Sequence, residues 1–67
     1  MNTELLMDEI KKANMSLKSL YELLNISRSS LYRKLIGKAE FTRSEIELLS
    51  KELNLSKKKI YDIFFRQ

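Results

Sequence analysis

Apolar residues along this chain recur at intervals of three and four, the period of one face of an α-helix. Leu6, Ile10 and Ala13 form one stripe, and Leu17, Leu20, Tyr21 and Leu24 a second. Leu31 and Leu35 form a third, Ile46, Leu49 and Leu53 a fourth, and Ile60, Ile63 and Phe64 a fifth. The pattern predicts five helices sharing one core. Their starts are marked by a recurring device. Met15-Ser16 precede Leu20, Ile26-Ser27 precede Leu31, Phe41-Thr42 precede Ile46, and Leu55-Ser56 precede Ile60. Each is an apolar residue, a capping hydroxyl, and an apolar residue four beyond the cap. This is a hydrophobic staple around a helix N-cap. Thr42 and Glu45 add a capping box. A helix from about Thr3 to Asn14 precedes these four. The unequal segments between caps are too short for a solenoid repeat. Each cap contributes about 1 kcal/mol, a large share of the roughly 5 kcal/mol expected for so small a domain.

The second and third helices are joined most tightly. The second runs from about Leu17 to Leu24. Asn25 then occupies the turn, where it tolerates the left-handed conformation. Ser27 caps the third helix, which runs to about Ile36 and stops at Gly37, the only glycine in the chain. Two short helices at about 17–36 with a tight turn between them have the layout of a helix-turn-helix, whose second helix lies in the DNA major groove. Leu31 and Leu35 turn inward. Arg28 with Tyr32, and Ser29 with Arg33, are pairs four apart on the outward face. Arg forks to the O6 and N7 of guanine, and small hydroxyl residues let a helix sit deep in the groove. Arg28, Ser29, Tyr32 and Arg33 are therefore the expected base readers, with Ser30 near the backbone. The alternative is a merely solvated charged face, and the single sign of the charge weighs against it.

Charge sharpens this picture. The net charge is +4, but residues 27–38 alone carry four basic residues and no acid. Residues 57–67 carry four basic residues against Asp62, while residues 1–26 and 39–56 are slightly acidic. A local basic patch on a nearly neutral body is the footprint of a nucleic-acid binder. Lys38 and Arg43 flank the loop after the third helix and are expected to meet phosphates. Lys34, beside the reading face, is expected to do the same. The free amides at Ser16, Leu17 and Lys18 open a helix N-terminus, a further phosphate site. Lys57, Lys58 and Lys59 occupy the first turn of the last helix, where cations oppose the macrodipole by about 0.3–1 kcal/mol each. They read as a solvated turn or, more sharply, as a backbone contact at a dimer centre. Lys11, Lys12 and Lys51 read as solubility charges.

Composition narrows the function. A chain of 67 residues without proline is expected to fold as one small helical domain. It has no cysteine and no histidine, which removes disulfides, thiolate metal sites, the thiol nucleophile and the commonest catalytic base. No apolar run approaches the roughly 20 residues of a membrane span, and no signal peptide is apparent. The expectation is a cytoplasmic binding protein, not an enzyme, with no cofactor, metal or small-molecule ligand. Tyr61 and Phe65, four apart on a second face of the last helix, are expected to form a partner surface, most simply a homodimer. The alternative is that one of them folds back onto its own core.

The run SLKSLYELLNISRSSLYRKLIGK, followed by EFTRSEIELLSKELNLS, resembles the Cro and C1 repressor (XRE-type) helix-turn-helix family of phage and bacterial transcriptional regulators. The likeness lies in the capped second helix, Ile26-Ser27 ending the turn, Gly37-Lys38 after the recognition helix, and Phe41-Thr42 starting the next. It spans about residues 4 to 60. Asn25 stands where glycine is usual, and Ile36 where Asn often precedes the glycine. The resemblance implies an all-α, compact five-helix lambda-repressor-like DNA-binding domain over residues 1–67. Its partner would be double-stranded operator DNA, bound as a dimer with a recognition helix at about 28–36. Two rivals are an antitoxin whose main partner is another protein, and a protein-interaction module on the same scaffold. The first would need a segment to hold a toxin, and an acid-free recognition helix weighs against the second.

Overall fold

The computed structural model describes residues 1–66. Five helices follow one another: α1 (Thr3–Lys12), α2 (Leu17–Leu23), α3 (Arg28–Leu35), α4 (Arg43–Glu52) and α5 (Lys57–Ile60). The last continues as a π-helical segment over Tyr61–Phe65. No strand occurs among the described residues. The architecture is the all-α five-helix arrangement expected from the apolar stripes.

Hydroxyl caps start four of the helices. Ser16, Ser27, Thr42 and Ser56 hold extended backbone, and each side chain accepts from the amide three residues on. Both halves of the Thr42–Glu45 capping box are made. Sequence reasoning missed the cap of α1, where Asn2 accepts from the Leu5 amide at 3.0 Å.

Helix ends are equally regular. Asn14, Asn25 and Asn54 have φ of 55°, 56° and 53°, and Gly37 has φ of 83°. At each joint the following amide reaches back across the last turn. Met15 N–H donates to Ile10 O at 3.2 Å, Ile26 to Tyr21 O at 3.0 Å, Lys38 to Arg33 O at 2.9 Å and Leu55 to Ser50 O at 2.9 Å. These are Schellman closures. At three joints Asn adopts the left-handed turn that glycine supplies at the fourth.

The closures explain two departures from expectation. The left-handed Asn14 ends α1 at Lys12, short of the predicted Asn14, and leaves Ala13 at the C-cap, exposed and outside the core. Leu17, expected on the inward stripe of α2, is its first residue and stands 41% exposed. The staple from Met15 covers that end of the core instead.

The core gathers Leu6, Ile10, Leu20, Leu24, Leu31, Leu35, Phe41, Leu49, Leu53 and Ile63 from all parts of the chain. The radius of gyration, 10.8 Å, is close to the value of about 11 Å for a compact chain of this length. Of the fifth stripe only Ile63 is fully buried. Arg66 N–H donates to Tyr61 O at 2.8 Å, a five-residue spacing that widens the turn. The three apolar residues then no longer share one line. Ile60 and Phe64 are half-buried, and of the two Phe64 packs against the core.

Long-range ties close the chain on itself. Asn2 N–H donates to Ile63 O at 2.6 Å, and the Thr3 hydroxyl donates to Leu35 O at 2.7 Å. The second tie satisfies a carbonyl left free at the C-terminus of α3. The lysines opening α5 are only partly a solvated turn. Lys58 pairs with Asp62 at 3.1 Å and Lys59 with Glu9 of α1 at 3.2 Å. Lys59, opposed by burial and aided by Lys12, holds the Glu9 carboxyl below its ordinary value.

Candidate nucleic-acid interface

The α2–turn–α3 unit takes its geometry from three short-range bonds. Ser16 Oγ accepts from Ser19 N–H at 3.1 Å, Ile26 N–H closes onto Tyr21 O, and Ser27 Oγ accepts from Ser30 N–H at 3.0 Å. Leu20, Leu24, Leu31 and Leu35 bury the inner faces of both helices. With about 100° per residue, Arg33 then lies opposite the buried Leu31–Leu35 line. Ser29, Ser30 and Ile36 fall within about 60° of it, and Tyr32 on one flank. Arg28 lies on the buried side of this wheel. It stays exposed because it is the first residue of the helix.

The expected base readers are each exposed, although Arg28 and Arg33 stand on different sides of α3. Arg28, Ser29, Tyr32 and Arg33 are all open to solvent, Tyr32 at 61%, and Ser30 is half-buried beside them. Among the described residues neither Arg28 nor Arg33 has a carboxylate partner within ion-pair distance. Lys18 and Lys38 are likewise exposed and unpaired. Arg43 is 94% exposed, with Glu47 one turn on at 3.6 Å. A pair that open is worth only about 0.3–0.5 kcal/mol and leaves the guanidinium available. Ser16 and Leu17 are exposed at the start of α2, though the seven residues of that helix make only a small dipole.

Lys34 departs from its expected role as a phosphate contact. It lies on the flank of α3 that meets α4, and its ammonium bonds both oxygens of Glu45, at 2.6 and 2.7 Å. The two side chains are only 13% and 10% exposed. Burial alone would raise the Glu45 carboxyl. The Lys34 ammonium and the Thr42 amide outweigh it and hold the group below its ordinary value. This pair was not read from the sequence, although its acid was already marked by the capping box.

Ile36 was also missed as a surface residue. It is 51% exposed at the C-cap of α3, beside Arg33. Gly37 follows it. A Cβ there would meet no heavy atom within 4 Å, so the glycine answers the positive φ and not a lack of space. At this joint the residues joined by the closure are Lys38 and Arg33, where the α1 joint has Met15 and Ile10. The end of α3 thus presents cations where α1 presents core.

The C-terminal aromatics remain outside the core. Tyr61 and Phe65 are 57% and 58% exposed. Phe65 borders a groove lined by Phe41, Ile46 and Ile60, with Arg43 and Glu47 on its rim. Ser50 also lines it, with a shielded hydroxyl that has no hydrogen-bond partner among the described residues.

The remaining surface offers little other chemistry. Among the described residues no cluster of acids is placed to hold a metal, and no helix is long and apolar enough to cross a membrane. No curated protein and no solved structure matches the chain. A family model does match, over residues 6–63, and it describes a DNA-binding domain, not an enzyme. The chain belongs to the Cro/C1-type helix-turn-helix DNA-binding domains.

Proposed function

We propose that this protein is a repressor-like transcriptional regulator that binds a specific double-stranded operator in the cytoplasm, as Cro-like proteins of phages do. Its residues 1–67 act as one DNA-binding unit. The recognition helix, about residues 28–36, enters the major groove, and Arg28, Ser29, Tyr32 and Arg33 meet base edges. The observation that carries this reading is an exposed, acid-free α3 whose arginines have no acidic partner among the described residues. Ser30 and the α2 start at Ser16 and Leu17 lie along the backbone. Lys18, Lys38 and Arg43 supply the phosphate contacts, and Lys34 is released from that set.

The operator is read by a homodimer, because one short helix covers too few base pairs for specificity, and a two-fold protein matches two half-sites. Tyr61 and Phe65 with the adjoining groove form the self-contact. The exposed aromatic pair supports this over an antitoxin role. Selection of duplexes from a randomised pool, followed by footprinting, tests the proposal. A pseudo-palindromic site protected over two successive major grooves is the expected result. Binding with no sequence preference would overturn it.

A further inference from the structure

We propose that Glu45 is a positioning residue for DNA reading, acting through Lys34 as a strut that sets the angle of α3. The inference rests on the reading of α3 as the recognition helix and adds a determinant that touches no DNA. Three observations carry it. First, the bond is two-pronged and shielded, with Lys34 Nζ at 2.6 and 2.7 Å from the two Glu45 oxygens. Second, Glu45 is itself fixed. Thr42 N–H donates to its Oε1 at 2.8 Å, and its own amide donates to Thr42 Oγ1 at 3.1 Å. The carboxylate is therefore a rigid feature of the α4 start and not a mobile tip. Third, the ammonium lies 5.9 Å from the Phe41 ring centre, and Phe41 meets Phe64 edge-on at a 5.9 Å centroid distance. The strut thus stands on a ring that is braced by the C-terminal segment.

The chemistry favours position over stability. A shielded ion pair adds little net stability compared with apolar residues of similar volume, because both charges lose water. It does impose direction, since three ammonium protons and two carboxylate oxygens must meet. The pair spans the loop of residues 36–42, which holds Gly37 and no regular structure. Without it, the C-terminal half of α3 keeps its Thr3 tie at Leu35 O and its place in the shared core but loses this directional polar tie to α4. The chain also commits one of the four cations in residues 27–38 to this contact, away from phosphate.

Two variants test the strut. Glu45→Gln keeps the shape and an acceptor for the Thr42 amide while removing a negative charge. Lys34→Met keeps an apolar stem against Phe41. Charge alone makes Glu45→Gln bind all DNA more tightly. The strut instead predicts that its preference for the selected operator over random duplex falls about tenfold, the value of roughly one base contact. Lys34→Met, with one cation fewer, should bind all DNA somewhat less tightly, lose the same preference on top of that, and keep its salt slope. Tighter binding of both duplexes by Glu45→Gln at an unchanged ratio would overturn the proposal. So would an equal loss on both duplexes in Lys34→Met with a slope shallower by about 0.9 per protomer, the mark of a phosphate ligand. Amide exchange without DNA separates this idea from the DNA reading itself. Faster exchange confined to residues 31–42 in both variants supports the strut even if the wild type shows no operator preference. Exchange that is unchanged, or raised evenly across α1 to α4, removes it. Should Glu45→Gln fail to fold, Lys34→Met carries both measurements.

Discussion

Two segments of this chain carry nearly the same formal charge and use it in opposite ways. Residues 27–38 hold four cations, and residues 57–67 hold four against one acid. In the first, three of the four have no acidic partner among the described residues, and only Lys34 is paired. In the second, Lys58 and Arg66 share Asp62, and Lys59 reaches Glu9, so three of the four have an acidic partner within the chain, two of them the same one. Both segments also expose aromatics, Tyr32 in one and Tyr61 with Phe65 in the other. A charge count therefore does not mark a nucleic-acid surface. Cations left without acids are the sharper signal for one, and the exposed aromatics beside internally paired charge fit the proposed self-contact instead.

The largest effect should come from the paired segment. Replacing Tyr61 and Phe65 together by Ser should keep helical content but weaken self-association. It should lower operator affinity about 100-fold, since two linked half-sites gain by effective concentration. Sedimentation of the double variant and titration of its operator check this. An unchanged association constant would remove the dimer assignment, and unfolding would place the pair in the core.

Next comes a matched pair of single changes. Arg33→Ala should cost about 1–3 kcal/mol on the operator and relax preference at one base position. Lys58→Ala, in the paired segment, should leave operator binding unchanged. A panel of single-base operator variants distinguishes them. Uniform loss across the panel would make Arg33 a phosphate anchor and rotate the reading face.

The exposed cations should set the salt dependence. With Lys34 withdrawn, Lys18, Lys38 and Arg43 give about six phosphate contacts per dimer and a log–log salt slope of roughly −5. Lys38→Ala should weaken operator and random DNA equally and reduce the slope by about one per subunit. A slope shallower than about −2 on duplex DNA would point to a non-DNA partner.

The smallest effect tests the internal pairing. The folded-state Glu9 carboxyl sits below its ordinary value of 4.5, chiefly through Lys59. Its contribution is therefore present above that value and lost as pH falls through the lower folded-state value. Lys59 is half exposed, so solvent screening keeps the contribution small. Urea midpoints measured across the acid range should show a slightly flatter fall for Glu9→Gln than for the wild type. Glu45, shifted in the same direction, retains part of the slope.

Local chemistry was the legible part of this molecule. Ser16, Ser27, Thr42 and Ser56 declare their caps through neighbours within four residues, and so does the Asn25 turn. The triplets Asn14-Met15-Ser16, Asn25-Ile26-Ser27 and Asn54-Leu55-Ser56 were equally readable, and only the middle one was recognised as a turn. The exposure of Ser29, Tyr32 and Arg33 followed from helical period, whereas that of Arg28 follows from its place at the start of α3. What escaped depends on other elements. Lys34 looked like its basic neighbours until α4 brought Glu45 against it. Ile60 left the predicted stripe because the helix widens beyond it. Whether Leu17 or Ala13 is buried depends on where a helix stops, the least determined feature of a periodic pattern.

The Asn and Gly joints also bear on how the chain acquires its shape. Each closes within six residues, so α1 to α5 can form and turn without first bringing distant parts together. Low contact order of this kind belongs to chains that fold in microseconds to milliseconds. The tie from Asn2 to Ile63 spans nearly the whole sequence and that from Thr3 to Leu35 about half of it, and both should form after the folding barrier. Thr3→Val should then accelerate unfolding and leave the folding rate nearly unchanged, whereas Asn25→Ala should slow folding. Such a domain should open first at its two ends and reseal quickly, because the ties that hold those ends are the last to form.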